Sequence, residues 1–252
     1  MNFDLSTIYV LWLRQLKRYF RSRARIIGSL GQPILFLVAL GFGFGPIFAK
    51  AGGGNYINFL VPGIIAMSVL FTSVFSGIEV IWDRQFGFLK ETLVAPTSRI
   101  KIMLGRTLGG ATVATLQGII VLVLSLFLGF QFTNLLMLPV AIFFMLLISL
   151  LFTALGTMIA SLLEDMQGFQ LIINFLIMPL FFLSSALFPL EGLPAIIEVV
   201  ARLNPLTYGV DALRASLGGA AQMGLPIDLA VLVGVTAVFL VLGSYFFSKI
   251  QA

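Results

Sequence analysis

The chain has 252 residues, of which 60% are apolar and only 10% charged, and its mean hydropathy is +1.10. So little polar surface cannot cover a soluble globule, and the composition predicts an integral membrane protein. With neither cysteine nor histidine, the chain has no disulfides, thiol nucleophiles, Cys/His zinc sites, His-ligated haem or histidine proton relays. The net charge of +5 points to membrane topology and not to nucleic acid, because hydropathy this high places the bases at the edges of membrane spans.

In chain order, residues 1–25 form no cleavable signal, since apolar residues are interleaved with bases and no small-residue cleavage site closes an early apolar run. Leu5, Ile8, Tyr9, Trp12, Leu16, Tyr19 and Phe20 recur at three- and four-residue spacing, while Arg14, Lys17, Arg18 and Arg21 fall elsewhere. This predicts an amphipathic helix in the membrane interface, serving as a lipid anchor or as a docking surface. Residues 26–252 then read as one all-α domain with six spans, at about 26–48, 59–81, 107–130, 135–161, 169–188 and 229–247. An even number puts both termini on one side. Arg14, Lys17, Arg18, Arg21, Arg23, Arg25, Arg84, Lys90, Arg99, Lys101, Arg106 and Lys249 share that side, against Lys50, Arg202 and Arg214 opposite. Twelve bases against three predict a multi-pass protein of the cytoplasmic membrane with cytoplasmic termini.

Two glycine-rich stretches fail as nucleotide sites. Gly41-Phe42-Gly43-Phe44-Gly45 lies inside an apolar span, where small residues permit close helix packing. Residues 105–112, GRTLGGAT, have the glycine and threonine spacing of a phosphate loop but Ala111 where its lysine belongs, and they open a membrane helix. The acids lie mostly at loops and span ends, so no catalytic constellation and no metal site is expected. Glu79 falls about 30 Å along the second span, at its edge, within reach of water or a base such as Arg84.

Residues 82–106 run WDRQFGFLKETLVAPTSRIKIMLGR, with a charged start, Gly87, a short amphipathic piece and Pro96 as a stop. The order Asp83-Arg84, Gly87, Leu89-Lys90-Glu91, Ala95-Pro96, Ser98-Arg99 resembles the signature loop of the type 2 ABC exporter permeases, especially the branch like the daunorubicin-resistance permease. Many members carry an acid where Lys90 stands. A second block resembles that family's external segment through Phe188-Pro189, Leu193-Pro194, Asn204-Pro205-Leu206-Thr207-Tyr208 and Asp211-Ala212-Leu213-Arg214. From the residues alone, Pro189, Pro194 and Pro205 divide positions 189–217 into pieces too short to cross. Two short re-entrant helices are expected there, acting as a gate or as a plain cap and involving Pro189, Pro194, Asn204, Pro205, Tyr208 and Arg214.

The resemblance implies a permease that works as a dimer, usually of two copies, on two copies of a separate ATP-binding subunit. That subunit would hold ATP and magnesium; this chain would hold no cofactor and perform no catalysis. A short coupling helix in the 82–106 loop would sit in a cleft of the ATPase, with Arg84, Gly87, Phe88, Leu89, Lys90, Glu91, Pro96 and Arg99 as its contacts. Phe88 or Leu89 would fill a pocket on the partner, rimmed by Glu91 and Arg99. Met67, Phe71, Phe75 and Glu79 on the second span and Asn174, Met178, Phe182 and Ser185 on the fifth form stripes at four-residue spacing. In the resembled family these helices flank the path of a lipophilic drug, lipid or lipid-linked glycan; lipid-facing packing is the other reading of the stripes. A secondary transporter or channel is the alternative class, and it calls for midplane ionisable groups or paired broken helices.

Overall fold

The computed structural model describes residues 6–50, 55–89, 92, 97–190, 192, 194–218 and 222–250. Ten helices are labelled among them: α1 (Ser6–Arg21), α2 (Arg23–Lys50), α3 (Tyr56–Phe75), α4 (Ile78–Gln85), α5 (Arg99–Phe127), α6 (Leu138–Leu162), α7 (Met166–Phe182), α8 (Ala195–Leu203), α9 (Pro205–Leu217) and α10 (Leu225–Ser248). Phe88, Leu89 and Thr92 are also helical. No strand occurs among the described residues.

Among the described residues five helical stretches are long and apolar enough to cross a membrane: Arg23–Phe48, Tyr56–Gln85, Arg99–Phe127, Leu135–Leu162 and Leu225–Ser248. The expected sixth, at 169–188, is instead the 17-residue helix α7, about 26 Å long, which ends at Phe182. Asp165 starts it by accepting the Gly168 N–H, and Leu183–Leu190 follow without regular helix. The third span begins at Arg99 and not near 107, because Ser98 caps α5 by accepting the Lys101 N–H. The bases of 99–106 therefore belong to a helix and not to a loop.

Helices α3 and α6 form the centre. Of the most apolar window in Tyr56–Gln85, 72% is buried, against 17% for each of Arg23–Phe48 and Leu225–Ser248, which wrap the outside. Leu60, Ile64, Ile65, Leu70, Ile148, Leu151 and Phe152 are fully buried. Apolar side chains gain little by leaving lipid for one another, so van der Waals fit decides which faces meet. At Gly77 a Cβ would lie 2.4 Å from the Gly156 carbonyl oxygen, so two glycines let α6 touch the α3–α4 junction backbone to backbone.

Hydrogen bonds between remote residues define two ends. At the basic end, Gln85 Nε2 donates to the Glu164 carbonyl at 3.2 Å and Arg99 donates to the carbonyls of Ser248 and Ile250. At the opposite, proline-rich end, Tyr56 donates to the Leu187 carbonyl at 3.3 Å and Thr133 to that of Gly218 at 3.0 Å.

Candidate functional site at the basic end

Helix α1 does more than cover lipid. It lies along α5, where Gly105 and Gly109 leave room for it: a Cβ at Gly109 would come within 2.6 Å of Gln15, and one at Gly105 within 3.0 Å of Leu11. This is a small-xxx-small contact, which the phosphate-loop comparison at 105–112 overlooked. The Gly41–Gly45 stretch, expected to serve close packing, does so only at Gly41, beside Ile57; Gly43 and Gly45 face open space. Trp12 Nε1 donates to Thr112 Oγ1 at 3.0 Å and Tyr19 donates to Gln117 Oε1 at 2.6 Å. Burial pushes the Tyr19 phenol above its ordinary value, which keeps it a donor. Of the apolar face read from sequence, Tyr19 is buried while Tyr9 and Phe20 stay exposed.

The docking of α1 brings bases onto acids from other helices. Arg14 NH2 lies 3.0 Å from Asp83 Oδ1, and Arg106 NH2 lies 2.6 Å from Asp83 Oδ2. Glu79 takes Arg25 at 3.0 Å on one oxygen and Arg18 at 3.6 Å on the other. Glu79, Asp83 and Arg106 are all buried. Four guanidinium groups thus share two carboxylates and tie α1, α2, α4 and α5 together with two positive charges in surplus. Glu79 is satisfied by Arg18 and Arg25, whereas Arg84 reaches Glu164 at 2.8 Å. Sequence reading did not single out Asp83 as a partner of Arg14 or Arg106. The available signal was spacing, with acids at 79 and 83 and bases at 14 and 18, each pair one helical turn apart.

The coupling candidates divide here. Gly87 has φ of +79°, a left-handed conformation that suits glycine and turns the chain after α4. Leu89 is 1% exposed and packs into the chain's own core. Phe88 is partly exposed with the Arg14 guanidinium 3.7 Å from its ring centre, and Phe86 is 81% exposed. Arg99 is turned to the chain's own carbonyls and does not form a free rim. Lys90, Glu91 and Pro96, like Glu191 and Leu193, lie outside the described residues.

The two proposed substrate stripes are not brought together. Met67, Phe71, Phe75 and Glu79 all line a cavity of about 490 Å³ bounded by α1, α2, α3, α4 and α5. The other stripe lies on the outer face of α7, where Asn174, Met178 and Phe182 are exposed, while Ser185 lies beyond the helix and is buried. Helix α7 packs through Phe169, Ile173, Ile177 and Phe181, a four-residue repeat displaced from the one read in the sequence.

At the proline-rich end, Pro189 lies in irregular chain, Pro194 precedes α8 and Pro205 opens α9. Asn204 joins the pieces by donating to the Leu180 carbonyl at 2.6 Å and accepting the Leu206 N–H at 3.0 Å. Tyr208 donates to the Arg202 carbonyl at 2.8 Å. Arg214 is buried, donates to the Ser185 carbonyl at 2.9 Å and lies 4.1 Å from the Phe59 ring centre. Among the described residues no group of three or more acids could hold a metal ion.

Residues 6–217 match the ABC-2 type transporter family. The chain is 32% identical over 219 residues to transport permease ycf38 of Cyanophora paradoxa, covering 84% of this chain and 74% of that one. It is 29% identical over 237 residues to Nodulation protein J of Rhizobium leguminosarum bv. trifolii, covering 93% and 86%. It is 31% identical over 193 residues to Nodulation protein J of Rhizobium meliloti (strain 1021), covering 76% and 73%. With five helices able to span a membrane and a family match across most of its length, the chain belongs to the ABC-2 type transporter family, as a multi-pass permease whose membership implies an ATP-binding cassette partner.

Proposed function

We propose that the chain is the transmembrane subunit of an ATP-driven exporter in the cytoplasmic membrane. It moves a lipophilic drug, lipid or lipid-linked glycan outward as a homodimer powered by a separate ATP-binding subunit. In this reading α7 completes a sixth crossing, both termini are cytoplasmic, ATP and magnesium stay on the partner, and the 189–217 segment gates or caps the exit. The observation that supports it most is the linkage of 82–89 to the spans. Exposed Phe86 and Phe88 follow α4, whose Asp83 and Glu79 are held by Arg14, Arg18, Arg25 and Arg106. A push on the exposed turn is thereby passed to α1, α2 and α5 through these charge pairs, of which Arg106–Asp83 is buried on both sides.

The test is export from vesicles that contain the permease with and without its ATPase, assayed over a panel of lipophilic compounds. ATP-dependent efflux only with both subunits is expected; robust ATP turnover by the purified permease alone would contradict the reading. The absence of native cysteine also gives a clean orientation test. A thiol at the half-exposed position Glu198 should react with an impermeant reagent from outside, and one at the exposed position Gln85 should not.

A further inference from the structure

The cavity at the basic end has two kinds of wall on one helix. Met67, Phe71 and Phe75 recur every four residues along α3, and Ser68, Thr72 and Ser76 recur beside them, so an apolar stripe and a hydroxyl stripe run together for about 12 Å. The Phe71 and Phe75 rings are nearly parallel, 18° apart in plane with centres 6.3 Å apart, and present a flat face. Ser68 lines the cavity, is 3% exposed, and its hydroxyl has no hydrogen-bond partner. Several serines in these helices donate to the carbonyl one turn back, as Ser149 does to Met145 and Ser161 to Thr157; Ser68 and Ser73 on α3 do not, and of these two only Ser68 lines the cavity. A buried hydroxyl left without such a bond costs free energy that a ligand acceptor would recover.

The cavity also contains Arg25 and Glu79. Because Glu79 is shared between Arg25 and Arg18, its negative charge is already matched and one positive charge is left over. The Arg25 side chain, 40% exposed, lines the cavity while holding Glu79 at 3.0 Å, and Arg18 at 3.6 Å backs the same carboxylate from outside the lining. A cationic ligand would meet net positive charge here; an anionic one would meet the Arg25 guanidinium, whose carboxylate partner is shared with Arg18.

We propose that this cavity binds an amphiphile with a single anionic headgroup. The anion sits on Arg25, with Arg18 able to keep Glu79 paired behind it, the apolar body lies on Met67, Phe71 and Phe75, and an acceptor part-way down the body takes the Ser68 hydroxyl. The volume of about 490 Å³ suits one compact body and not a two-chain lipid held whole. An inner-leaflet phospholipid with one chain inserted and a transported anionic amphiphile share this chemistry. The site's role in transport rests on the permease reading; the binding itself does not.

The experiment uses the full-length chain, purified without an ATPase, in phosphatidylcholine nanodiscs. Trp82 lines the cavity, and of the two tryptophans the other is Trp12, so a Trp12→Phe background reports on the cavity alone. Quenching is measured with brominated phosphatidylglycerol, with brominated phosphatidylcholine, and with dodecyl phosphate as competitor. The anionic lipid should quench at about five-fold lower mole fraction than the zwitterionic one, the ratio that one partly exposed ion pair supplies. Arg25→Gln should erase that ratio. Gly28 lines the cavity and a Cβ there meets nothing within 4 Å, so Gly28→Leu should fill the space, spare the ion pairs and weaken quenching by both lipids. A lipid preference that dodecyl phosphate does not relieve places the source in the leaflet. Arg25-dependent displacement by dodecyl phosphate without lipid preference places it in small amphiphiles. Equal quenching by both lipids, unmoved by dodecyl phosphate, Arg25→Gln or Gly28→Leu, would overturn the site. Copurification of an ATPase is independent of all these outcomes, so failure here leaves the permease reading intact, and the reverse holds.

Discussion

The two ends of the bundle satisfy their polar groups in different ways. At the basic end, side chains pair with side chains across helices: Arg14 and Arg106 on Asp83, Arg18 and Arg25 on Glu79. At the proline-rich end, side chains bond mainly to backbone, both within residues 201–223 (Asn204 to Leu206, Thr207 to Ala201, Tyr208 to Arg202, Asp211 to the N–H groups of Gln222 and Met223) and across to other segments (Asn204 to Leu180, Tyr56 to Leu187, Thr133 to Gly218). Charge pairs between separate helices join bodies that can move as a block, whereas side-chain-to-backbone bonds within a short stretch fix the shape of that stretch. The first arrangement suits transmission of a push and the second suits a preformed cap.

Breaking each network should show that difference in size. Asp83→Ala leaves Arg106, 4% exposed, without its partner, so it should destabilise the purified chain by about 3–5 kcal/mol in thermal or denaturant melts. Arg14→Ala removes a pair whose arginine side chain is 34% exposed, and solvent screening limits its effect to about 1 kcal/mol at most. Comparable losses for the two would mean that the buried pair is not the anchor. At the other end, Asn204→Ala removes the α9 cap and the bond to Leu180 together, about 1–2 kcal/mol. Arg202→Ala breaks only the exposed Glu198–Arg202 pair one turn apart and should cost about 0.3–0.5 kcal/mol.

How far the sequence reveals each region follows from the same contrast. Long apolar runs are local signals, and α2, α3, α5, α6 and α10 were legible because each exceeds the length a bilayer needs. Prolines at 189, 194 and 205 and the Asn204-Pro205 cap are local too, and they marked the breaks around α8 and α9. The basic cluster is non-local: Arg14 and Asp83 are 69 positions apart and meet only because Gly105 and Gly109 admit α1 against α5. The burial of Leu89 in the chain's own core was not legible for a related reason, since an apolar residue after a glycine turn has the same pattern whether it faces a partner or that core. The stripe on α7 was displaced because its helix is apolar nearly all round, so periodicity does not say which face packs.

The most direct test of the basic end as the transmission surface is ATPase retention by a Phe86→Ala, Phe88→Ala double variant. Phe86 is 81% exposed and Phe88, 36% exposed, carries the Arg14 cation–π contact, so the variant should lose no more than about 1 kcal/mol of stability. If each ring is buried in the motor it contributes about 1.5–3 kcal/mol there. Copurified ATPase should therefore fall at least about ten-fold, with export lost in proportion. Wild-type retention together with wild-type export in that variant would contradict the account.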